Sequence, residues 1–379
     1  MYRKPIRVLH ILGKRPVGGV GTFLKNMNAN VDLNRVKFDY LLCAKEPIGE
    51  FDTYVMRYGA KVYVLPELKY SNIVVYLKEL YYFMRKYATN YDIIHVHVPN
   101  IAAFNLYLAK KFDIKIRIIH SHSIKYSDSL LKSMRNFLLQ VPIRHFANAY
   151  MACSVDSAKF LFRKEFFNNK VKIINNAISI QDFLYNEDVR KIKRKELGID
   201  NNMVVGQIGS FLPVKNHNFS IKIMQEILKI KKNSVMIFVG DGVLEKEIKE
   251  KVKNIGLSDN IKFLGRRDDI RDLLQAMDVM IIPSLFEGIP LVGIEAQVSG
   301  LPIVLSDTIT EDLKINDSVH YASIKKSPKE WAEIIISAYE QEHSRDNMHE
   351  FFKNSGYDIV REAKKLTYTY ESYLSSFNI

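Results

Sequence analysis

Short apolar runs of strand length alternate with helix-like patterns along the whole chain, and the alternation breaks once and begins again. In the first half, strands are predicted at 6–12, 38–43, 62–65, 93–98, 116–120 and 149–153, with helices such as 19–28 and 76–87 between them. A charged stretch, NEDVRKIKRKELGIDNN, then covers residues 186–202. Beyond it, strands are predicted again at 204–208, 235–239, 261–264, 279–282 and 303–305. Strands that alternate with helices make βαβ units and parallel sheets. The expectation is therefore two doubly wound α/β domains with a cleft between them, residues 1–185 and 186–357. A last helix over 358–379 is expected to pack back on the first. Ligands of such sheets bind outside the carboxyl ends of the strands. At 379 residues the chain is long enough for two cores.

Composition narrows the class. With 47% hydrophobic and 26% charged residues the chain reads as an ordinary globular protein. No apolar run approaches the ~20 residues that span a bilayer. The opening MYRKPIRVLHILG is basic and then apolar, but Arg7 and His10 interrupt it, so it reads as a first buried strand and not a signal peptide. Two cysteines, Cys43 and Cys153, give neither a disulfide framework nor zinc spacing, which suits a reducing cytoplasm. Charge is uneven: 28 Lys and Arg stand against 13 Asp and Glu up to Tyr185, and 27 against 29 beyond it. A basic half implies an anionic partner, whether nucleic acid, an anionic membrane surface or a phosphorylated acceptor. The alternative is a soluble, lysine-rich surface with no partner. No RNA- or DNA-binding motif occurs, so no nucleic-acid partner is expected.

The chemistry concentrates in residues 284–302, SLFEGIPLVGIEAQVSGLP. A strand, a Gly-Ile-Pro turn and a helix predicted to begin at Pro290 make an anion site, because the first N–H groups of a helix have no partner inside it. Glu287 falls on the loop and Glu295 one turn or more into the helix, placed to accept hydrogen bonds from hydroxyl groups. A nucleotide-sugar satisfies both requirements. Each half also has a glycine-bearing turn after its first strand: Gly18-Gly19-Val20-Gly21 follows the 14–17 loop, and Gly209-Ser210-Phe211 is followed by Lys215. Glycines let backbone N–H groups approach a phosphate closely. Neither turn is a GxGxxG fingerprint, and no GxxxxGK[ST] loop occurs.

His95 and His97 alternate with apolar residues and project to one strand face, and His120 and His122 end the next predicted strand. Without a further ligand type at metal spacing, no metal site is expected. One of His120 and His122 is expected in the cleft, donating to a sugar hydroxyl or a leaving phosphate. Leu130, Leu131, Met134, Phe137, Leu138 and Val141 share one helical face within residues 129–150, with Lys132, Arg135 and Asn136 off it. Such a stripe is read as core, with a helix resting on anionic lipid as its competitor.

At this point the chain resembles the retaining glycosyltransferases of family 4, which have the GT-B fold, and most of all bacterial members that build capsular and exopolysaccharides. The carriers are GGVGTFLKNM, HSHS, ACSVDSAKFLF with KVKIINNAIS, GSFLPVKNHNF, FVGDG, FLGRRDDI and EGIPLVGIEAQVSGLP, in that order. The resemblance implies two Rossmann-like domains and transfer of a sugar from a nucleotide-sugar, UDP-linked by family frequency, to a glycan or lipid-linked acceptor. It implies a cytoplasmic protein that can sit on the inner membrane face, with no cofactor besides the donor. Position by position, Glu295 would hold the ribose hydroxyls, Glu287 would face the donor sugar, and the amides of Leu291 and Val292 would meet the pyrophosphate. Lys215 matches the phosphate-binding lysine, Gly19 the glycine turn that completes the phosphate site, and His122 the histidine near the donor sugar. Gly209 and Gly240 belong to the same binding set, and Arg266 and Arg267 lie on the loop where the base stacks. Two departures stand out. Ser210 replaces an arginine of the pyrophosphate clamp, for which Arg266 or Arg267 is the available substitute. Gly21 stands where many members have glutamate.

No carboxylate pair suited to a double-displacement glycosidase route is found, so front-face attack stabilised by Lys215 and the helix amides is expected. No Asp-x-Asp motif sits at a strand end of the donor half, so no divalent metal is expected. The alternatives are a non-catalytic partner of another transferase and a nucleotide-sugar 2-epimerase.

Overall fold

The computed structural model describes residues 4–16, 18–45, 48–68, 70–124, 130–341, 345–346 and 348–377. The chain forms two compact units, one built from residues up to Ala177 together with those from Ile359 onward, the other from Ile178 to Asp358. The first holds β1 (Ile6–Ile11), β2 (Val36–Cys43), β3 (Val62–Leu65), β4 (Ile93–Val96), β5 (Ile116–Ser121), β6 (Ala149–Ala152) and β7 (Val171–Ile173). They make one parallel sheet in the order β3-β2-β1-β4-β5-β6-β7. The second holds β8 (Met203–Ile208), β9 (Ser234–Val239), β10 (Ile261–Phe263), β11 (Val279–Ile282), β12 (Ile303–Ser306) and β13 (Val319–Ala322), in the order β10-β9-β8-β11-β12-β13. Both sheets carry apolar clusters on both faces, as buried parallel sheets require.

In each sheet the chain winds outward from its first strand, returns, and continues on the other side. The order therefore reverses between β1 and β4 in the first unit and between β8 and β11 in the second. Loops leaving the two central strands diverge there, and the carboxyl edge opens.

Eleven of the thirteen strands among the described residues answer to predicted ones, with ends shifted by up to two residues. The two missed strands, β7 and β13, lie at sheet edges. β7 has three residues, none fully buried, and β13 carries His320. Neither offers the continuous apolar run of a central strand.

The chain passes from one unit to the other eight residues before the predicted boundary at 186. Ile178 and Ile180 are buried in the second core, and the N–H of Ile178 donates to the Tyr357 carbonyl at 3.0 Å. The charged stretch is not a linker. It is the helix Glu187–Leu197, capped by the Asn186 side chain and ended by Gly198 in the left-handed conformation. The helix Ile359–Phe377 buries Ala363, Leu366 and Tyr370 in the first core, and Glu371 takes a two-pronged bond from Arg35 at 2.9 and 2.6 Å. Asn378 and Ile379 lie outside the described residues, as does Val17 of the 14–17 loop.

The stripe on Leu130–Gln140 corrects its reading as core. Leu131, Met134, Phe137 and Leu138 are exposed, and so is Val141 just beyond the helix, while Asn136, expected off the face, is buried. Ser129 and the side chains of Leu130 and Lys132 lie outside the described residues. No helix among the described residues is long and apolar enough to cross a membrane.

One buried carboxylate aligns the start of the second sheet. Asp278, just before β11, accepts from the N–H of Val204 in β8 at 2.8 Å and from Arg190 and Arg194 of the Glu187–Leu197 helix. Removing it leaves two largely buried guanidinium groups without their counter-charge. Asp278→Ala is expected to cost about 3 kcal/mol of unfolding free energy by urea denaturation. A loss below about 0.5 kcal/mol, the range of an ordinary surface substitution, would refute that role.

Candidate functional site

The carboxyl edge of the second sheet gathers most of the predicted residues. β8 ends at Ile208 and leads through Gly209 and the exposed Ser210 into a single 3-10 turn, Pro213–Lys215. Asn216 takes φ 57°, a left-handed value that asparagine tolerates, and the helix His217–Ile230 begins. β11 ends at Ile282 and leads through Ser284 and Glu287 to the helix Leu291–Val298. The two exits are tied across the gap where strand order reverses. The N–H of Leu285 donates to the Val214 carbonyl at 2.8 Å, and Asn216 Nδ2 donates to the Pro283 carbonyl at 3.2 Å.

That tie brings Lys215 and Glu287 together. Lys215 Nζ donates to Glu287 Oε1 at 2.7 Å, both side chains being mostly buried, and Ser284 Oγ donates to the same oxygen. One ammonium hydrogen is so used, and two remain for an anion. Gln207, a buried amide in an apolar strand, holds the lysine's backbone: its Nε2 donates to the Lys215 carbonyl at 2.8 Å while its Oε1 accepts from Ser220 at 2.6 Å. Sequence reasoning passed over Gln207. An amide inside a strand that is otherwise buried and apolar was the available signal.

Glycines let three loops close against one another. The N–H of Gly209 donates to the Val239 carbonyl at 2.9 Å and that of Gly240 to the Gly265 carbonyl at 2.8 Å. A Cβ on Gly240 would lie 2.2 Å from the Gly209 oxygen, and one on Gly209 would press on the Lys215 stem at 3.2 Å. Their role is close packing of the loops that carry Lys215.

Pro290 precedes the helix as its cap, one residue outside the predicted start. The N–H groups of Leu291 and Val292 have no hydrogen-bond partner among the described residues, as the first positions of a helix dictate. Glu295, four residues in, likewise has no hydrogen-bond or ion-pair partner there for its carboxyl group. Its side chain is only partly exposed, and burial pushes the carboxyl group up to about 7. His217, also unremarked in the sequence, stacks on Phe211 at 4.2 Å with neither ring nitrogen partnered among the described residues. Burial first and the Lys215 charge second lower it to about 4.

The loop after β10 does not deliver its arginines alike. Arg267 is engaged by Asp269 at 2.7 and 2.6 Å and by Glu196 at 3.4 Å. Those bonds anchor it to the Glu187–Leu197 helix and do not supply the cation missing at Ser210. Arg266 is exposed.

The first unit holds Gly19 and His122. Gly19 is exposed in the first turn of the helix Gly18–Asn30, behind Gly18 at φ 61°. A Cβ at Gly21 would stand 3.0 Å from the Pro16 carbonyl, which gives the departure from glutamate a steric reason. His122 follows β5 and joins a cluster that the sequence showed only in part. His10 Nδ1 lies 2.8 Å from His97 Nε2, His97 Nδ1 lies 2.9 Å from His122 Nε2, and His95 Nε2 lies 3.0 Å from His120 Nδ1. His95 also bonds Tyr370 at 2.8 Å. Desolvation holds all five rings far below the usual imidazole range, His10 and His122 at about 3. Nitrogens of His10, His95 and His97, and of His97, His120 and His122, lie within 4.8 Å of one another. His10 was read only as an interruption in an apolar run; the pairing of β1 with β4, which sets it opposite His95, is not visible locally.

The chain is similar to proteins named as glycosyltransferases. Residues 189–355 match the family described as Glycosyl transferases group 1. The chain is 28% identical over 370 residues to EpsF of Bacillus subtilis (strain 168), named as a glycosyltransferase, with 96% of each chain covered. It is 26% identical over 377 residues to the capsular polysaccharide biosynthesis glycosyltransferase CapH of Staphylococcus aureus, covering 97% of this chain and 99% of that one. Among solved structures, Anabaena Alr3699/HepE in complex with UDP and glucose superposes with a TM-score of 0.79 at 20% identity, over 97% of this chain and all of that one. Residues 189–355 thus carry the group 1 glycosyltransferase pattern, the whole chain is similar to family-4-like glycosyltransferases, and its fold is GT-B, with two Rossmann-like domains.

Glu295 makes stability depend on pH. Its folded-state value lies above the ordinary 4.5, so the fold favours the protonated carboxyl. The contribution is complete below about 4.5 and is lost as pH rises through about 7. Between pH 4.5 and 8 the loss should be on the order of 1–3 kcal/mol. The buried neutral histidines add the opposite slope below about 6.5, so the effect is read as a difference: in urea unfolding across that range the wild type should lose stability relative to Glu295→Gln as pH rises.

Proposed function

We propose that the chain moves a sugar from a nucleotide-sugar, UDP-linked, to a hydroxyl of a lipid-linked glycan during synthesis of a capsular or secreted polysaccharide, with retention at the anomeric carbon. The observation that carries this reading is the meeting of Lys215 and Glu287 where strand order reverses, followed by a helix in which the amides of Leu291 and Val292 and the carboxyl of Glu295 have no partner among the described residues. A cation and free N–H groups suit a diphosphate, and an isolated carboxylate suits vicinal hydroxyls. Support for the polysaccharide setting comes from CapH, named for capsular polysaccharide biosynthesis, and support for UDP from the HepE complex.

In the proposed reaction the bond from the anomeric carbon to the β-phosphate oxygen breaks as the acceptor oxygen bonds the same carbon from the same face. The acceptor's proton passes to the departing phosphate oxygen. Lys215 and the helix amides carry the growing negative charge, being oriented before it appears. Glu287 holds Lys215 in place and faces the sugar. Glu295 takes the ribose hydroxyls, whose donated bonds favour its ionised form. His122 bonds a sugar oxygen. The reading assigns no role to a metal. The acceptor's lipid and an anionic membrane surface suit the exposed Leu131, Met134, Phe137 and Leu138 on a basic half.

A second reading, a non-catalytic partner of another transferase, has one observation in its favour. Ser210 lacks a guanidinium group, and Arg267 is already engaged by acids. Hydrolysis of a nucleotide-sugar by the purified chain would exclude it.

UDP is expected to raise the melting temperature more than GDP or ADP, because a ligand of the native state stabilises it according to concentration over Kd. Equal shifts for all three would remove the base assignment. With the true donor, Lys215→Ala should lower kcat by about 10²–10³-fold, comparable to a lost oxyanion donor. Glu287→Ala should also cripple turnover, whereas Glu295→Ala should chiefly raise KM. Full turnover by Lys215→Ala would sink the mechanism, and full inhibition by a chelator would show that a metal takes part.

A further inference from the structure

The helices of the first unit differ in charge from one face of its sheet to the other. On one face lie Gly18–Asn30, Glu50–Met56 and Ile359–Phe377, which bury Phe23, Phe51 and Leu366 in one apolar cluster. On the other lie Ile73–Tyr87, Pro99–Lys111, Ile143–Phe146 and Val155–Phe167, which bury Leu80, Leu106, Ile143 and Phe162 in a second cluster. The helix Leu130–Gln140 packs on Pro99–Lys111 and so joins the second layer. The helices of the first layer hold 4 Lys and Arg against 4 Asp and Glu. Those of the second hold 11 against 3. One layer is balanced, and the other is strongly basic.

The basic layer is also the one that leaves an apolar helix face in solvent. On Leu130–Gln140, Leu131 is 80% exposed and Leu138 67%, with Met134 and Phe137 exposed beside them. Val74, in the first turn of Ile73–Tyr87, is 74% exposed. Between these helices, long cationic stems lie against tyrosine rings. Lys78, Lys86 and Lys111 stand over Tyr82, Tyr87 and Tyr81 at 5.9, 5.0 and 5.1 Å from the ring centres. Such pairs have an apolar body and a wet, positive tip, which suits a boundary between hydrocarbon and water. A second copy of the chain would set two faces of the same sign against each other. An anionic lipid surface answers the charge and the apolar face together.

We propose that this one layer of the first unit docks on an anionic bilayer: the helix Leu130–Gln140 lies in the plane of the headgroups with Leu131, Met134, Phe137 and Leu138 among the acyl chains, and the cations of the neighbouring helices face the lipid phosphates. The docking stands by itself; its use, to hold the chain where a lipid-linked acceptor lies, rests on the glycosyltransferase reading. Neither feature anchors the chain alone. A helix of 11 residues with a single apolar face inserts shallowly, and charge at the surface is screened by salt. Together they make reversible attachment that depends on both. The balanced layer, with the C-terminal helix, faces away from the lipid.

Co-sedimentation of the full chain with vesicles tests this without any substrate. Vesicles of mixed phosphatidylglycerol and phosphatidylcholine should bind it, and pure phosphatidylcholine vesicles should bind it at least about tenfold more weakly. Raising salt from about 0.1 M to about 1 M should weaken the binding to the mixed vesicles. Leu131→Ser with Leu138→Ser, both at exposed positions, should weaken it about tenfold and keep the wild-type circular dichroism spectrum. Lys78→Gln with Lys111→Gln should do the same through charge. Arg361→Gln with Lys364→Gln removes as much charge from the opposite layer and should leave binding within about twofold. Equal binding to both kinds of vesicle, or to neither, would overturn the proposal, as would equal losses from the two charge pairs. So would a dimer in sedimentation velocity that Leu131→Ser with Leu138→Ser disperses, because the face would then belong to a second copy. A chain that binds the mixed vesicles as expected but turns over no UDP-sugar would leave the docking standing and remove the transferase reading.

Discussion

A parallel strand can deliver a side chain only at its ends, because its length is buried on both faces. Where the order of strands reverses, two adjacent strands send their loops in opposite directions and the edge between them is left open. Both sheets of this chain have that reversal, between β1 and β4 and between β8 and β11, and both place their polar groups there. In the second unit the exits of β8 and β11 carry Lys215 and Glu287, joined at 2.7 Å. In the first the strands β1 and β4 carry His10, His95 and, one residue further, His97. The glycines, the Gln207 amide and the Asn216 turn all serve to keep these exits in register.

The two edges solve the problem of buried polarity differently. The second unit uses full charges, an ammonium and a carboxylate held at contact distance, with two ammonium hydrogens left over. A pair of this kind tolerates partial burial because each charge answers the other. The first unit uses neutral rings that satisfy one another by sharing protons, and charge there would be costly in the absence of any acid in the cluster. The first arrangement suits a ligand that brings negative charge. The second suits a ligand that brings only dipoles.

Much of this was legible in the sequence because it is written locally. The alternation of apolar runs and helical patterns predicts two parallel sheets, and residues 279–302 predict a strand, turn and helix with Glu287 on the loop and Glu295 in the helix, as found. Four things were not legible, each for a physical reason. His10 faces His97 only because β1 and β4 are neighbours, a pairing across more than eighty residues that no local pattern encodes. Arg267 could be placed on its loop but not paired, since Asp269 and Glu196 reach it through tertiary packing. The apolar stripe after Leu130 has the spacing of a core helix, and spacing alone cannot say whether the core is there to receive it. The unit boundary moved for a similar reason: charge marks solvent exposure, and a solvent-exposed helix can belong wholly to one unit.

Glu295 joins the two chemistries. It sits in the helix whose open amides suit phosphate, yet it has no partner among the described residues and its burial favours the neutral form. Burial therefore holds its proton well above the usual carboxylate range. Hydroxyl groups that donate to it would stabilise the anion and release a proton, so binding and ionisation are linked. Were a ligand with vicinal hydroxyls to bind there, its affinity would rise with pH over the interval in which the stabilising contribution of Glu295 falls. A site that is strained when empty and relaxed when filled gains selectivity for ligands that bring donors, because a ligand without them leaves the cost of the buried carboxylate unrelieved.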